Sequence, residues 1–183
     1  MCRGLGKIEL TEEEKEKIRE SRKTLEEVIK LNPKTAYYGI NTGVGALLRK
    51  RIPKNKLREF QENLIMSHAC GVGEPLDKEL VRGMMLHMIL GLRKGYSGIR
   101  LETIELLIEM FNREITPVVP CKGSLGASGD LIPQAHIALA IIGRNSDQIL
   151  LACGLQPAKL EVGEAIALLN GTSFMTSVLA FSV

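Results

Sequence analysis

A glycine-rich stretch, residues 123–136, carries the most distinctive chemistry in this chain. It reads GSLGASGDLIPQAH, so three glycines lead into an apolar segment. Such a loop before a helix is typical of a phosphate site, because free backbone N–H groups there bind anions. Asp130 argues against that use, since a carboxylate at the helix start would accept those hydrogen bonds itself and repel another anion. The Lys-Ser/Thr pair of a P-loop is also missing from the stretch.

Two other interpretations fit the same loop. The first is a structural turn in which Asp130 caps the following helix. The second is chemical: in a tight bend the Gly129 nitrogen attacks the Ala127 carbonyl carbon, and glycine has no side chain to block the approach. Loss of one water closes a five-membered ring, and loss of a second water from Ser128 leaves an exocyclic methylene. The product is 4-methylidene-imidazol-5-one (MIO), an electrophile made from the backbone.

Three further stretches combine glycine with polar residues, and all four motifs lie between residues 37 and 173. In chain order the three are YYGINTGVG, NLIMSHACGVGEPL and NGTS, the last following the glycine-rich loop. With the Ala-Ser-Gly triplet, this ordered set resembles the aromatic amino acid ammonia-lyases, whose triplet forms MIO. Within that family the set is most similar to the histidine ammonia-lyases.

The resemblance implies catalytic roles for five residues. Ala127, Ser128 and Gly129 would become MIO, so neither an external cofactor nor a metal is expected. Asp130 would support the cyclisation and hold the loop. Tyr38 would be the general base that removes a β-proton from the substrate, or a hydroxyl beside that base.

The resemblance also implies three substrate-binding residues. Asn170 would contact the MIO oxygen or the amine region of the substrate. Ser67 and His68 occupy the selectivity pair, where family members acting on phenylalanine commonly have Phe-Leu and those acting on tyrosine often have His-Leu. The His68 ring could hydrogen-bond an imidazole but would be unpaired beside a phenyl group, at a cost of about 1–3 kcal/mol. The expected substrate is therefore L-histidine and the expected products are urocanate and ammonia.

Each of these residues also has an ordinary structural explanation when it is taken alone. Tyr38 could be a packing residue, His68 a core histidine and Asn170 part of a common turn. Of the other two histidines, His87 is interpreted as a core residue, and His136 as a packing residue or one that supports the site residues from behind. The functional interpretation is preferred because the motifs occur together.

Composition sets the class of protein. The chain has 183 residues, 45% of them hydrophobic, with 4% aromatic residues and no tryptophan, which favours helices over a sandwich or barrel. The net charge is +3, from 24 basic and 21 acidic residues, and this balance argues against a nucleic-acid or anionic-membrane partner. None of the four cysteines forms a CxxC pair and the N-terminus lacks an apolar signal segment, so we expect a cytoplasmic protein with reduced thiols.

The apolar periodicity predicts a mainly α fold in which irregular glycine-rich loops carry the motifs. An amphipathic helix is predicted over 11–31, the tyrosine loop over 35–48 and the MIO loop over 123–130. Residues 148–157 are interpreted as a short strand pair or an irregular hairpin. The predicted helices lie within 11–31, 54–71, 77–95, 100–114, 133–143, 162–170 and 172–183.

The apolar helix predicted over 172–183 lacks a partner, so residues 1–183 are interpreted as a single N-terminal segment of a larger ammonia-lyase fold. The resemblance implies that the remainder supplies the long central helix bundle, an arginine for the substrate carboxylate, further tyrosines and an acidic residue. It also implies a homotetramer whose active sites combine several subunits, so the isolated segment is expected to be inactive. Two alternatives stay open: a non-catalytic relative that acts as an assembly or binding module, and another MIO lyase or aminomutase. Ser173, in place of the glutamine usual after NGT, is a departure from the family pattern.

Overall fold

Helices dominate the computed structural model, which describes residues 6–127, 129–144 and 147–182. The prediction of a mainly α fold is confirmed. Two short 3₁₀ turns, Gly45–Leu47 and Lys54–Lys56, lie in the segment that connects the first two helices. In chain order the elements are α1 (Glu12–Leu31), α2 (Leu57–His68), β1 (Val72–Pro75), α3 (Lys78–Leu92), α4 (Leu101–Asn112), β2 (Pro120–Lys122), α5 (Leu131–Ile141), α6 (Asp147–Ala152), α7 (Glu164–Leu169) and α8 (Ser173–Ser182).

Helix α1 begins where its sequence predicts. Thr11 is the N-cap: its hydroxyl accepts a hydrogen bond from the Glu14 amide, and the Glu14 carboxylate accepts one from the Thr11 amide. This reciprocal pair satisfies two N–H groups that have no partner inside the helix. Only Ile18 of α1 is fully buried, so the rest of the helix presents its Lys/Glu-rich surface to solvent.

Helix α5 is the central element of the core, and it follows the glycine-rich loop directly. Eight of its eleven residues are buried. A short helix that is apolar on all sides is typical of the interior of a domain. It packs against α2, α4, α7 and α8, so the loop before it is delivered to the middle of the molecule.

The strand pair or hairpin predicted over 148–157 is wrong, because the chain forms helix α6 as far as Ala152 and then a turn without strands. Leucine and alanine are good helix formers, and burial of Leu150 and Leu155 provides the stabilising contact. The extended segment after α4 does enter a sheet: β2 pairs antiparallel with β1, with Val72 opposite Lys122 and Pro75 opposite Pro120.

Residues 164–182 are long and apolar enough, by length and composition, to cross a membrane. The backbone is broken at residues 170–172, which divides the stretch into α7 and α8. Helix α8 packs so closely on α3 at Gly83 that a Cβ there would overlap the Ser177 hydroxyl.

Candidate functional site

Three of the residues singled out by sequence meet at one cleft, which we call the candidate cleft. Tyr38, His68 and Asn170 all line this space of about 360 Å³, although they are far apart in the chain. Its walls come from the tyrosine loop, α2, the start of α5 and the end of α7. The remaining lining residues are Val44, Gly45, Leu64, Leu131, Ile166 and Leu169.

The tyrosine loop is held in shape by hydrogen bonds between the Asn41 side chain and the loop backbone. The buried Asn41 side chain accepts a hydrogen bond from the Tyr37 amide at 2.7 Å and donates one to the Thr35 carbonyl at 2.9 Å. Gly39 has φ +67°, and a Cβ there would lie 3.2 Å from Ile166, so glycine lets the loop seat on α7. Asn41 was not among the residues predicted from the sequence, although its position between glycines was the available signal.

Tyr38 is held at the edge of the cleft and is 56% exposed. Its phenolic oxygen accepts a hydrogen bond from the Gly45 amide at 3.0 Å. The tyrosine hydroxyl is therefore anchored by backbone while its proton is available to a neighbouring group.

His68 and Ser67 end helix α2, and of the two only His68 lines the candidate cleft. The His68 Nδ1 lies 2.8 Å from the Leu64 carbonyl oxygen, and since a carbonyl only accepts, Nδ1 carries the proton. In the neutral form of this tautomer, Nε2 is the acceptor. Ser67 also donates to the Leu64 carbonyl, at 2.8 Å, and is outside the set of described residues that line the candidate cleft.

Asp130 occupies the N-cap position of α5, but its carboxylate does not cap that helix, which corrects the sequence interpretation. One carboxylate oxygen accepts a hydrogen bond from the Ser124 hydroxyl at 2.7 Å, and the other accepts one from the Met175 amide at 2.9 Å. Met175 lies in the first turn of α8, where N–H groups lack intrahelical partners. The fully buried carboxylate thus joins the loop to the start of a different helix.

The triplet of the glycine-rich loop is only partly within the described residues. Ser128 lies outside them; Ala127 is exposed. Gly129 has φ +106°, and a Cβ there would overlap the Gly171 carbonyl oxygen. That same oxygen accepts a hydrogen bond from the Asp130 amide at 2.7 Å. The close approach of the two backbones brings the glycine-rich loop against the NGTS turn, and it requires glycine at 129.

A second histidine supports the end of α2 from α5. The His136 Nε2 accepts a hydrogen bond from the Gly71 amide at 3.1 Å, which requires the neutral ring. Burial lowers the pKa of His136 below its ordinary value, because an imidazolium is poorly solvated there. The hydrogen bond to Gly71 itself was not predicted from the sequence, which left His136 as a packing or supporting residue.

The candidate cleft is short of positive charge. Among the described residues, its lining contains no lysine or arginine, the side chains that bind a carboxylate. Over the same residues, no group of three or more His, Cys, Asp and Glu side chains is placed to hold a metal ion.

The mainly helical fold and the four motifs define a particular class of protein. The family model described as aromatic amino acid lyase matches residues 1–183. The chain belongs to the aromatic amino acid lyase family, which confirms the resemblance seen in the sequence.

Individual relatives carry more specific names. The chain is 44% identical over 193 aligned residues to the histidine ammonia-lyase of Alkaliphilus oremlandii (strain OhILAs), covering 100% of this chain and 38% of that protein. The crystal structure of histidine ammonia-lyase from Trypanosoma cruzi superposes with a TM-score of 0.84 at 34% identity, covering 98% of this chain and 37% of the other. The phenylalanine aminomutase of Pantoea agglomerans superposes with a TM-score of 0.90 at 34% identity, covering 99% and 37%. The chain thus spans little more than a third of the length of each of these proteins.

Proposed function

We propose that this chain is the part of a histidine ammonia-lyase-like enzyme that carries the electrophile and one wall of the active site. The reaction is the non-oxidative elimination of ammonia from L-histidine to give urocanate. The observation that carries the proposal is the meeting of Tyr38, His68 and Asn170 at one cleft, beside the helix that follows the Ala-Ser-Gly triplet. Relatives named histidine ammonia-lyase support the choice of substrate.

The residues on the C-terminal side of the triplet fit the formation of MIO. Gly129 has no side chain to obstruct its nitrogen, and its neighbour Asp130 is fixed through both its amide and its carboxylate. This anchoring holds one side of the bend, while Ala127 on the other side is exposed. Once formed from Ala127, Ser128 and Gly129, MIO supplies an electron-accepting methylene, and no external cofactor or metal takes part.

The side chains of the cleft would divide the remaining work. Tyr38 takes the β-proton of the substrate on its phenolic oxygen after the hydroxyl has given up its own proton, and the Gly45 N–H stabilises the negative charge that this oxygen carries before the transfer. His68 accepts a hydrogen bond from the substrate imidazole through Nε2, since Nδ1 is committed to Leu64. Asn170 also lines the cleft, where its amide can contact the MIO oxygen or the substrate amine region. Ser67, the other member of the selectivity pair, donates a hydrogen bond to the same Leu64 carbonyl that fixes His68.

The cation that would bind the substrate carboxylate comes from outside the candidate cleft. The cleft lining within the described residues has no arginine or lysine, so an incomplete site is expected for this chain alone. A homotetramer, with the centre completed by further residues and neighbouring subunits, follows from the family resemblance. A cytoplasmic location also stays a prediction.

Two measurements test the proposal. The native protein should have an intact mass lower than its calculated mass by two waters. Peptide mapping should localise this loss to the peptide that contains Ser128. Incubation with L-histidine should then give urocanate, followed by its absorbance. The 183-residue chain by itself should give little or no urocanate, and strong turnover by it would contradict the incomplete-site argument. An unmodified Ser128 together with no turnover by the native protein would instead favour the non-catalytic assembly or binding module.

A second candidate is an aminomutase, which the superposition on phenylalanine aminomutase at a TM-score of 0.90 supports. Such an enzyme returns the amine to the substrate and produces a β-amino acid. Separation of the products by chromatography distinguishes the two, because only the lyase releases free ammonia in equal amount to the unsaturated acid.

A further inference from the structure

Asp130, the N-cap of α5, and Gln134, one turn further along that helix, both form hydrogen bonds at the break between α7 and α8. Asp130 binds the Gly171 carbonyl through its amide and the Met175 amide through its carboxylate. Gln134, four residues later and therefore on the same face of the helix, binds on both sides of the break. Gln134 was not among the site residues predicted from the sequence.

The Gln134 amide is buried, with only 2% of the residue exposed, and both its functional atoms are used. Nε2 donates to the Leu168 carbonyl at 2.9 Å, and Oε1 accepts from the Ser173 amide at 3.2 Å. The Leu168 carbonyl belongs to the last turn of α7 and the Ser173 amide to the first turn of α8. Groups at these positions have no partner inside their own helices.

The same two groups would be paired differently if the helix were continuous. In an uninterrupted helix over 164–182, the Leu168 carbonyl would accept from Thr172, and the Ser173 amide would donate to Leu169. Gln134 occupies both groups and therefore competes directly with continuation of the helix. The stretch is apolar and long enough for a single helix, but Asn170 and Gly171 are weak helix formers, so the Gln134 hydrogen bonds act together with the local sequence to keep the two helices apart.

The break determines where Asn170 lies. Asn170 is the C-cap of α7, with φ −90° and ψ 95°, which is an extended conformation. Gly171 follows it and packs on the Gln134 amide, so that a Cβ at Gly171 would lie 3.1 Å from Oε1. Asn170 reaches the candidate cleft from this non-helical position. A continuous helix would turn it by the helical repeat and change the direction of its side chain.

We propose that Gln134 is a positioning residue for the active centre: its amide keeps α7 and α8 separate and so directs Asn170 into the candidate cleft. This inference rests on the proposed function for its kinetic consequence, and on the hydrogen bonds alone for its structural consequence.

The amide chemistry gives a specific test, because the role needs one donor and one acceptor in the same side chain. In Gln134→Glu the ionised carboxylate can accept from Ser173 but cannot donate to the Leu168 carbonyl. The protonated form can do both, and burial raises the pKa of a carboxyl group into a range where it can be titrated. Gln134→Met has similar length but neither donor nor acceptor. Gln156→Glu adds the same charge at an exposed position and is the matched control.

The rate of urocanate formation by the native protein and these variants is measured as a function of pH, with kcat and KM determined separately. At alkaline pH, Gln134→Glu should lower kcat by roughly tenfold relative to the unchanged protein, about the effect of one lost hydrogen bond. The ratio should recover towards one as the pH falls. Gln134→Met should stay low at every pH, and Gln156→Glu should match the unchanged protein. A ratio for Gln134→Glu that is independent of pH, or equal to that of Gln156→Glu, would overturn the proposal.

A structural measurement separates this inference from the proposed function. NMR Cα chemical shifts of residues 170–172 should be non-helical in the unchanged protein and should move towards helical values in Gln134→Met. If the unchanged protein has no activity and an unmodified Ser128, the proposed function fails, and these shifts alone decide whether Gln134 maintains the break. Unchanged shifts in Gln134→Met would refute the role of Gln134 whatever the activity.

Discussion

Replacing Asp130 with alanine tests whether its buried carboxylate holds the glycine-rich loop to α8. The carboxylate is fully buried and accepts two hydrogen bonds, from the Ser124 hydroxyl at 2.7 Å and from the Met175 amide at 2.9 Å. Hydrogen bonds to charged groups contribute about 1.5–3 kcal/mol each, so two give an upper range of about 3–6 kcal/mol. The Ser124 hydroxyl can rotate towards another acceptor, which reduces the loss.

We expect Asp130→Ala to lower the free energy of unfolding by about 3 kcal/mol. For a chain of this size that corresponds to a fall in Tm of roughly 6–12 °C. Asp130→Asn should lose only about 1 kcal/mol, because its oxygen can still accept from Met175 while its NH₂ group donates to the Ser124 oxygen. The two variants therefore separate the hydrogen-bond geometry from the negative charge.

Urea unfolding followed by circular dichroism measures these differences. Asp77→Ala is the matched control, since Asp77 is an exposed aspartate at the N-cap position of α3 whose side chain makes no capping hydrogen bond. It should change stability by less than about 0.5 kcal/mol. The reasoning is refuted if Asp130→Ala is no less stable than this control, which would mean that desolvation of the carboxylate cancels its hydrogen bonds. If Asp130→Asn costs as much as alanine, the charge and not the geometry is responsible.

Three further predictions concern histidines and the triplet. The His136 pKa is lowered by burial, so its stabilising contribution is present above the unfolded value of 6.5 and is lost as the pH falls below that value. The urea midpoint should therefore decrease from about pH 7.5 to about pH 5.5 by more in the unchanged chain than in His136→Gln, which cannot titrate, and His87→Gln should keep the larger decrease. His68→Leu in the native protein should reduce kcat/KM for L-histidine by about tenfold or more while leaving the unfolding midpoint within error, and unchanged histidine turnover would contradict the specificity role of His68. Ser128→Ala should remove the mass deficit of two waters and leave the far-UV circular dichroism spectrum unchanged, and a persisting deficit would exclude Ser128 as its source.

The sequence predicted helix ends well where the residues that start or stop the helix lie within a few positions of that end. Thr11 and Glu14 are three positions apart, and their capping box needs no other part of the chain. Gly95, the last residue of the range 77–95 in which this helix was predicted, has φ +71° and donates back to the Leu92 carbonyl. The segment 148–157 was assigned wrongly because a short apolar run does not distinguish a strand from a buried helix by periodicity.

The motifs also identified Tyr38, His68 and Asn170 as candidate site residues before any contact was known, since their residue types and order along the chain carry that information. Their assembly at one cleft depends on packing, because α5 and α7 must first be buried together.

The amino-acid sequence by itself determined the helical class, the family and the chemistry available to the Ala-Ser-Gly triplet, because composition, periodicity and residue order are properties of the chain. Only the tertiary structure decided the hydrogen-bond partners of Asp130 and Gln134. Asp130 binds the Met175 amide, 45 residues away, and Gln134 binds the Ser173 amide, 39 residues away. The helix-capping rule assigns a carboxylate to the N–H groups nearest in sequence. In the folded protein the unpaired N–H groups of α8 lie within reach of the same side chain, and burial of both favours their pairing.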